Sequence, residues 1–349
     1  MKDINKKDTK DQRIALFDYL KAFFILLVII THYSWTDSER LNILFPFIVS
    51  MAIPGFMLIS GYLLYMSCER KYQTSIADLY AWDILIGKFL RFTLPFLVAL
   101  IVEIGFQIFN HTDISLSSVV HLYLVGGKGP GSYYYPLMIQ LIFIFPALYW
   151  LMRRGSIRGL IIIGVANLTY EIMIHAYGMG AACYRLLVFR YLLMLGFGCY
   201  LYINKDEKQN KIALLIMIAI GIAYIVVTKY TGYEEKLFTY WTSTSMMTAF
   251  WIFPVFYMVY KLLRDARPSK IQIIGKASYH IFLTQMVYYG YVFRLVRGYL
   301  PDFTLIHLLV NVVFCISLGM IFYLVENKIN KIVLRKVLSW VHKNRLTNQ

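Results

Sequence analysis

Ile14-Ala-Leu-Phe-Asp18-Tyr-Leu-Lys21-Ala-Phe-Phe-Ile-Leu-Leu-Val-Ile-Ile-Thr-His32-Tyr33 is a run of twenty residues interrupted by only three side chains that can carry charge near neutral pH, Asp18, Lys21 and His32. As a helix rising about 1.5 Å per residue, such a run is about 30 Å long, the thickness of a bilayer's hydrocarbon core. The segment before it is polar and rich in lysine, and no small-residue cleavage site follows it, so it reads as a retained first span and not as a signal peptide. Working outward, the same kind of block recurs along the chain. On the criterion of about twenty apolar residues per crossing, ten spans are expected at 14–33, 43–66, 89–109, 134–152, 158–175, 185–203, 211–228, 238–261, 272–294 and 304–325. The expected fold is an all-α integral membrane bundle.

Composition agrees. Of the 349 residues 59% are hydrophobic and 15% charged, whereas soluble domains carry about a quarter charged residues. The net charge of +16 does not point to nucleic acid, because the basic residues lie in short connections and make no basic face. Their placement is a topology signal. With the N-terminus inside, 26 Lys and Arg fall in connections on the cytoplasmic side and eight on the other, the eight being Arg40, Lys128, Arg185, Arg190, Lys229, Lys236, Arg294 and Arg297. Both termini are therefore expected in the cytoplasm. The organisation follows: a cytoplasmic segment 1–13, a transmembrane domain 14–326 and a basic cytoplasmic tail 327–349. The connections at 67–88 and 110–133 are too short for a core of their own, which leaves the chemistry to the bundle. The cysteines Cys68, Cys183, Cys199 and Cys315 have no metal-type spacing, and no metal is expected.

Ionisable side chains at membrane depth are costly and so mark candidate sites. Lys21 and His32 are eleven residues apart, about three helical turns, which puts them on one face with about 16 Å between them. A snorkelling lysine with an interfacial histidine is the plainer alternative. Lys88 and Arg91, one turn apart at a cytoplasmic boundary, suit either a phosphate clamp or a positive-inside anchor. Glu103, with Gln107 one turn on, asks for a partner, Lys21 and Arg190 being candidates. Glu171, His175, Arg185 and Arg190 gather at an outer connection, as an acceptor site or as an ion-pair network. Glu326 closes the last span among lysines, where a salt bridge is expected. The run Gly126-Gly-Lys128-Gly-Pro130-Gly131 is no phosphate-binding loop, since no strand leads in and neither Ser nor Thr follows Lys128. It reads as a flexible outer loop able to gate the bundle.

Several of these residues fall into one pattern. Arg13-Ile-Ala-Leu-Phe-Asp18-Tyr19-Leu20-Lys21, then ten residues and His32, resembles the opening of the membrane acyltransferase-3 family. Pro54-Gly-Phe56-Met-Leu-Ile-Ser60-Gly61-Tyr62-Leu63 is similar to that family's Ser-Gly-aromatic signature, and Lys88-Phe-Leu-Arg91-Phe-Thr-Leu-Pro95 to its basic motif before a proline. Gly275-Lys-Ala-Ser278-Tyr279-His280-Ile-Phe282-Leu-Thr-Gln285 resembles a stretch that many members end in His. Tyr323-Leu-Val-Glu326-Asn327-Lys328 resembles a closing Glu-x-Pro without its proline.

The resemblance implies acyl transfer, usually of acetyl, from cytoplasmic acyl-coenzyme A to a hydroxyl of a cell-surface or lipid-linked glycan at a bacterial cytoplasmic membrane. With it, Lys21, Lys88 and Arg91 are expected to bind the donor's phosphates, His32 to act as general base and Asp18 to orient Lys21. Ser60, Tyr62 and Gln140 are candidate oxyanion donors. The competing class is an exporter of exopolysaccharide or lipid-linked glycan that does no acyl chemistry. Membrane lipids, donor and glycan are the expected partners.

Overall fold

The computed structural model describes residues 15–70, 76–111, 114–233, 235–238, 240, 244–301 and 303–347, with the backbone alone described at 76, 83, 330–331 and 333–347. The expected segment 1–13 lies outside the described residues. Every regular element among them is helical. In chain order these are α1 (Ala15–Thr31), α2 (Asp37–Asn42), α3 (Ala52–Arg70), α4 (Ile76–Leu79), α5 (Trp82–Phe109), α6 (Leu116–Val125), α7 (Tyr134–Arg153) and α8 (Ser156–Ala176). Then come α9 (Ala181–Leu186), α10 (Leu192–Ile203), α11 (Lys211–Tyr230), α12 (Ala249–Leu263), α13 (Gln272–Lys276), α14 (Ser278–Val287), α15 (Phe293–Arg297) and α16 (Thr304–Thr347). Among the described residues six helices, over Ala77–Phe109, Tyr134–Arg153, Ser156–Ala176, Lys211–Tyr230, Met246–Leu263 and Thr304–Ile329, are long and apolar enough to cross a membrane.

Burial is arranged for lipid. On α11 Ile212, Leu215 and Ile216 are exposed, and on α8 Ile157, Ile161 and Val165, so outer helices present apolar faces outward. In water such patches would be unstable, whereas against acyl chains they are at home. α1 and α10 lie at the centre, with most of their side chains buried. α1 packs on α3, α13, α14 and α16, while α10 packs on α3, α7, α8 and α12.

Among the described residues the α3–α10 contact is the most extensive. A Cβ on Gly61 would fall 2.2 Å from the Leu195 carbonyl oxygen, and one on Gly198 would fall 2.1 Å from that of Leu58. Small residues let two backbones approach where lipid gives helices no hydrophobic drive to associate. The Ser-Gly signature is thus, at Gly61, a packing device.

Four stretches of the expected spans differ from continuous helix. Residues 43–51 form successive turns, beginning at Leu44 with φ 54°, a left-handed conformation that a helix cannot continue through. In the stretch 238–261 the described helix runs from Met246. The stretch 185–203 breaks at Leu187, which is extended (φ −102°, ψ 133°). Backbone groups freed at membrane depth need partners, and Gln140 of α7 supplies both: its Nε2 donates to the Leu186 carbonyl (2.7 Å) and its Oε1 accepts from Val188 N–H (3.1 Å). The stretch 272–294 is divided into α13, α14 and a π-helical turn at Tyr288–Val292. The stretch expected as a tail continues α16 as far as Thr347.

Polar contacts between connections join segments that the Lys and Arg count puts on one side. Arg264 pairs with Asp206 (3.4 Å) and Lys261 reaches the Lys205 carbonyl (2.8 Å). Arg190 Nη2 donates to Thr244 Oγ1 (2.6 Å).

Candidate active site

The N-terminal part of α1 carries Asp18 and Lys21, one turn apart, with Lys21 Nζ 2.8 Å from Asp18 Oδ1. Asp18 is buried and Lys21 partly so. α13 presses on this turn, since a Cβ on Gly275 would fall 1.9 Å from the Asp18 carbonyl oxygen. The Gly275 stretch and the Asp18–Lys21 motif, distant in sequence, therefore meet.

His32 follows the last residue of α1. A helix ends with carbonyls short of partners; Ile29 O and Ile30 O accept long bonds from His32 and Tyr33 N–H (3.4 and 3.3 Å), and each takes a shorter one from an aromatic side chain, Tyr289 OH to Ile29 O (2.9 Å) and Trp35 Nε1 to Ile30 O (2.8 Å). These bonds fix the end of the helix and so the base of the His32 side chain. The imidazole is partly exposed, 6.0 Å from the Tyr289 ring centre to centre. The glycine-rich run closes its other side. A Cβ on Gly131 would lie 3.4 Å from His32 Nε2 and 2.9 Å from Phe282 Cζ. Gly131 has φ +84°, so glycine suits the position on both counts. Phe282, Gln285 and Tyr289 are spaced by three and four residues, the spacing of one helical face, and it is this face that meets His32 and its loop. Tyr289 was overlooked in the sequence; its signal was that spacing.

Lys88 and Arg91 occupy α5, Lys88 partly buried and Arg91 exposed. Next to them the Phe92 carbonyl accepts from Tyr279 OH (2.9 Å), tying α5 to α14.

Other expectations need correcting. The partners of Glu103 are neither Lys21 nor Arg190 but the backbone N–H groups of Lys128 (3.0 Å) and Gly129 (3.3 Å). The salt bridge expected at Glu326 is made with His280 of α14, at 2.9 Å. Glu171 and Arg190 communicate through Tyr184, whose hydroxyl donates to Glu171 (3.0 Å) and whose ring lies 4.7 Å from the Arg190 guanidinium carbon. The candidate oxyanion donors are engaged within the fold. Ser60 Oγ donates to Phe56 O (2.8 Å), Tyr62 OH meets Tyr260 OH (3.1 Å), and Gln140 holds the Leu187 break as described. Among the described residues no cluster of His, Cys, Asp and Glu is arranged to hold a metal.

A helical membrane protein, with an acidic–basic pair toward one end of its first helix and a framed imidazole at the other, is the class these features define. The sequence pattern of the acyltransferase-3 family, described as an acyltransferase domain, matches residues 14–324, and the chain belongs to that family. No curated protein and no solved structure matches it significantly.

Proposed function

We propose that the protein is an integral-membrane O-acyltransferase that takes an acyl group, acetyl in the first instance, from cytoplasmic acyl-coenzyme A to a hydroxyl of a cell-surface or lipid-linked glycan. The proposed setting is a bacterial cytoplasmic membrane, with ten crossings and both termini inside. The observation that carries it is the layout of α1 in a chain of this family. α1 presents a basic side chain near its N-terminal end, and the residue just past its C-terminal end, about 16 Å further on by helical rise, is an imidazole in a built surround of Gly131, Phe282 and Tyr289. Coenzyme A has a matching polarity, with phosphates at one end and a thioester at the other. Lys88 and Arg91, with Lys21, bind the phosphates electrostatically. The pantetheine arm runs toward His32.

In this mechanism His32 accepts the proton of the acceptor hydroxyl as its oxygen attacks the thioester carbonyl carbon. The tetrahedral intermediate collapses with cleavage of the C–S bond, giving the ester. The thiolate leaves and takes the proton back from the imidazolium. Asp18 holds Lys21 in position for the donor. The assay is transfer of radiolabel from acetyl-CoA into the glycan fraction of membranes carrying the protein. Wild type incorporates label and His32→Ala does not; equal incorporation by both removes His32 from the reaction.

A further inference from the structure

Glu103 is completely buried, and its bonding is unusual for a carboxyl group at membrane depth. Both its oxygens are turned to backbone: Oε2 accepts from Lys128 N–H (3.0 Å) and Oε1 from Gly129 N–H (3.3 Å). Such bonds from main-chain N–H groups to a carboxylate are about twice as strong as neutral ones and fix orientation as well as position. Gly127 lies on the same carboxyl group, where a Cβ would fall 2.7 Å from Oε2, and its φ is +101°. From the opposite wall Gln285 Nε2 donates to Pro130 O (3.3 Å). Beyond these two anchors the next residue is Gly131, against His32.

We propose that Glu103 is a positioning residue for the reaction. By holding the 128 and 129 amides it sets where Gly131 lies against His32 Nε2, and so how much room the imidazole leaves for a hydroxyl and how well water is kept out. Gln285 anchors the loop from the other flank. The inference rests on the acyl-transfer reading for its consequence but not for its geometry.

The test is carbethoxylation of His32 by diethyl pyrocarbonate in the purified full chain in lipid nanodiscs, followed by mass spectrometry. The exposed His111 and His121 serve as references and the buried His280 as a control for loosening. Glu103→Gln keeps the size of the side chain but sets an NH2 group against one of the two amides. Gly127→Ala displaces the loop from the carboxyl group without changing α5. In both variants His32 is modified several-fold faster than in wild type, with the other histidines unchanged. In both, the ratio of donor hydrolysis to transfer rises and transfer falls about 10- to 100-fold, the scale of a small misplacement at a reacting centre. An unchanged His32 rate in both variants, or a rise shared by His280, overturns the proposal. Should Glu103→Gln fail to fold, Gly127→Ala alone decides it. Faster modification of His32 in a protein that shows no transfer even as wild type leaves the positioning standing and removes the acyl-transfer reading.

Discussion

His280 Nε2 lies 2.9 Å from Glu326 Oε2, with both side chains buried between α14 and α16. The two residues are 46 positions apart, and their bond joins the stretch packed on α1 to the end of the last span. Removing one member of a buried pair leaves the other without compensation, at a cost of about 3–5 kcal/mol. Glu326→Ala is therefore expected to lower stability strongly, whereas Glu326→Gln, which still offers a carbonyl oxygen to the ring, loses less. Thermal unfolding in detergent checks the order. A double-mutant cycle with His280→Ala is expected to give a coupling of about 0.5–3 kcal/mol.

Gly61 and Gly198 make the α3–α10 contact, where an added methyl group meets backbone and not a side chain able to move aside. Gly61→Ala is expected to destabilise by at least the ~1–3 kcal/mol typical of overpacking. Gly105→Ala, on an exposed face with nothing within 4 Å, serves as the control and is expected to unfold with wild type. The melting temperatures of the two variants supply the comparison.

Tyr289→Phe removes one hydroxyl, the one that gives the Ile29 carbonyl its shorter bond. The cost in stability is expected to be about 0.5–1.5 kcal/mol, that of a single hydrogen bond. Because this bond sets the end of α1 beside His32, kcat is expected to fall by more than that loss accounts for, with KM for the donor little changed. Steady-state kinetics on protein of matched folded fraction separate the two effects.

Much of the fold was legible because lipid imposes it. The length of the apolar blocks located the helices around Lys21, Glu103 and Glu171. The break at Leu187 was not legible, because the side chain that repairs it, Gln140, comes from another helix. The turns at 43–51 escaped for a related reason: apolarity alone does not distinguish a helix from a run of apolar turns. For the site, the eleven-residue spacing of Lys21 and His32 was plain in the sequence, although α1 ends one residue before His32. The partners of Glu103 were not, since they are backbone groups of a glycine-rich loop, and no residue type marks an N–H that is free to bind. Gln285 stood out only as a departure from a family pattern, and its bond to Pro130 O gives it a physical role.

Arg91→Ala is expected to raise KM for acetyl-CoA about ten- to a hundredfold with kcat nearly unchanged, as loss of a charge-assisted bond of about 1.5–3 kcal/mol implies. Arg91→Lys keeps the charge but not the planar fork, and should recover only part of the loss. Donor affinity in wild type is expected to weaken as salt rises, and binding titrations at two ionic strengths measure this.

The most direct measurement is thiol release from acetyl-CoA by the purified protein in lipid, for wild type and for His32→Ala. The account predicts slow release by wild type without any acceptor, faster release once a glycan acceptor is added, and neither in His32→Ala. No release and no detectable binding of acetyl-CoA by the wild-type protein would contradict it and would turn attention to glycan export.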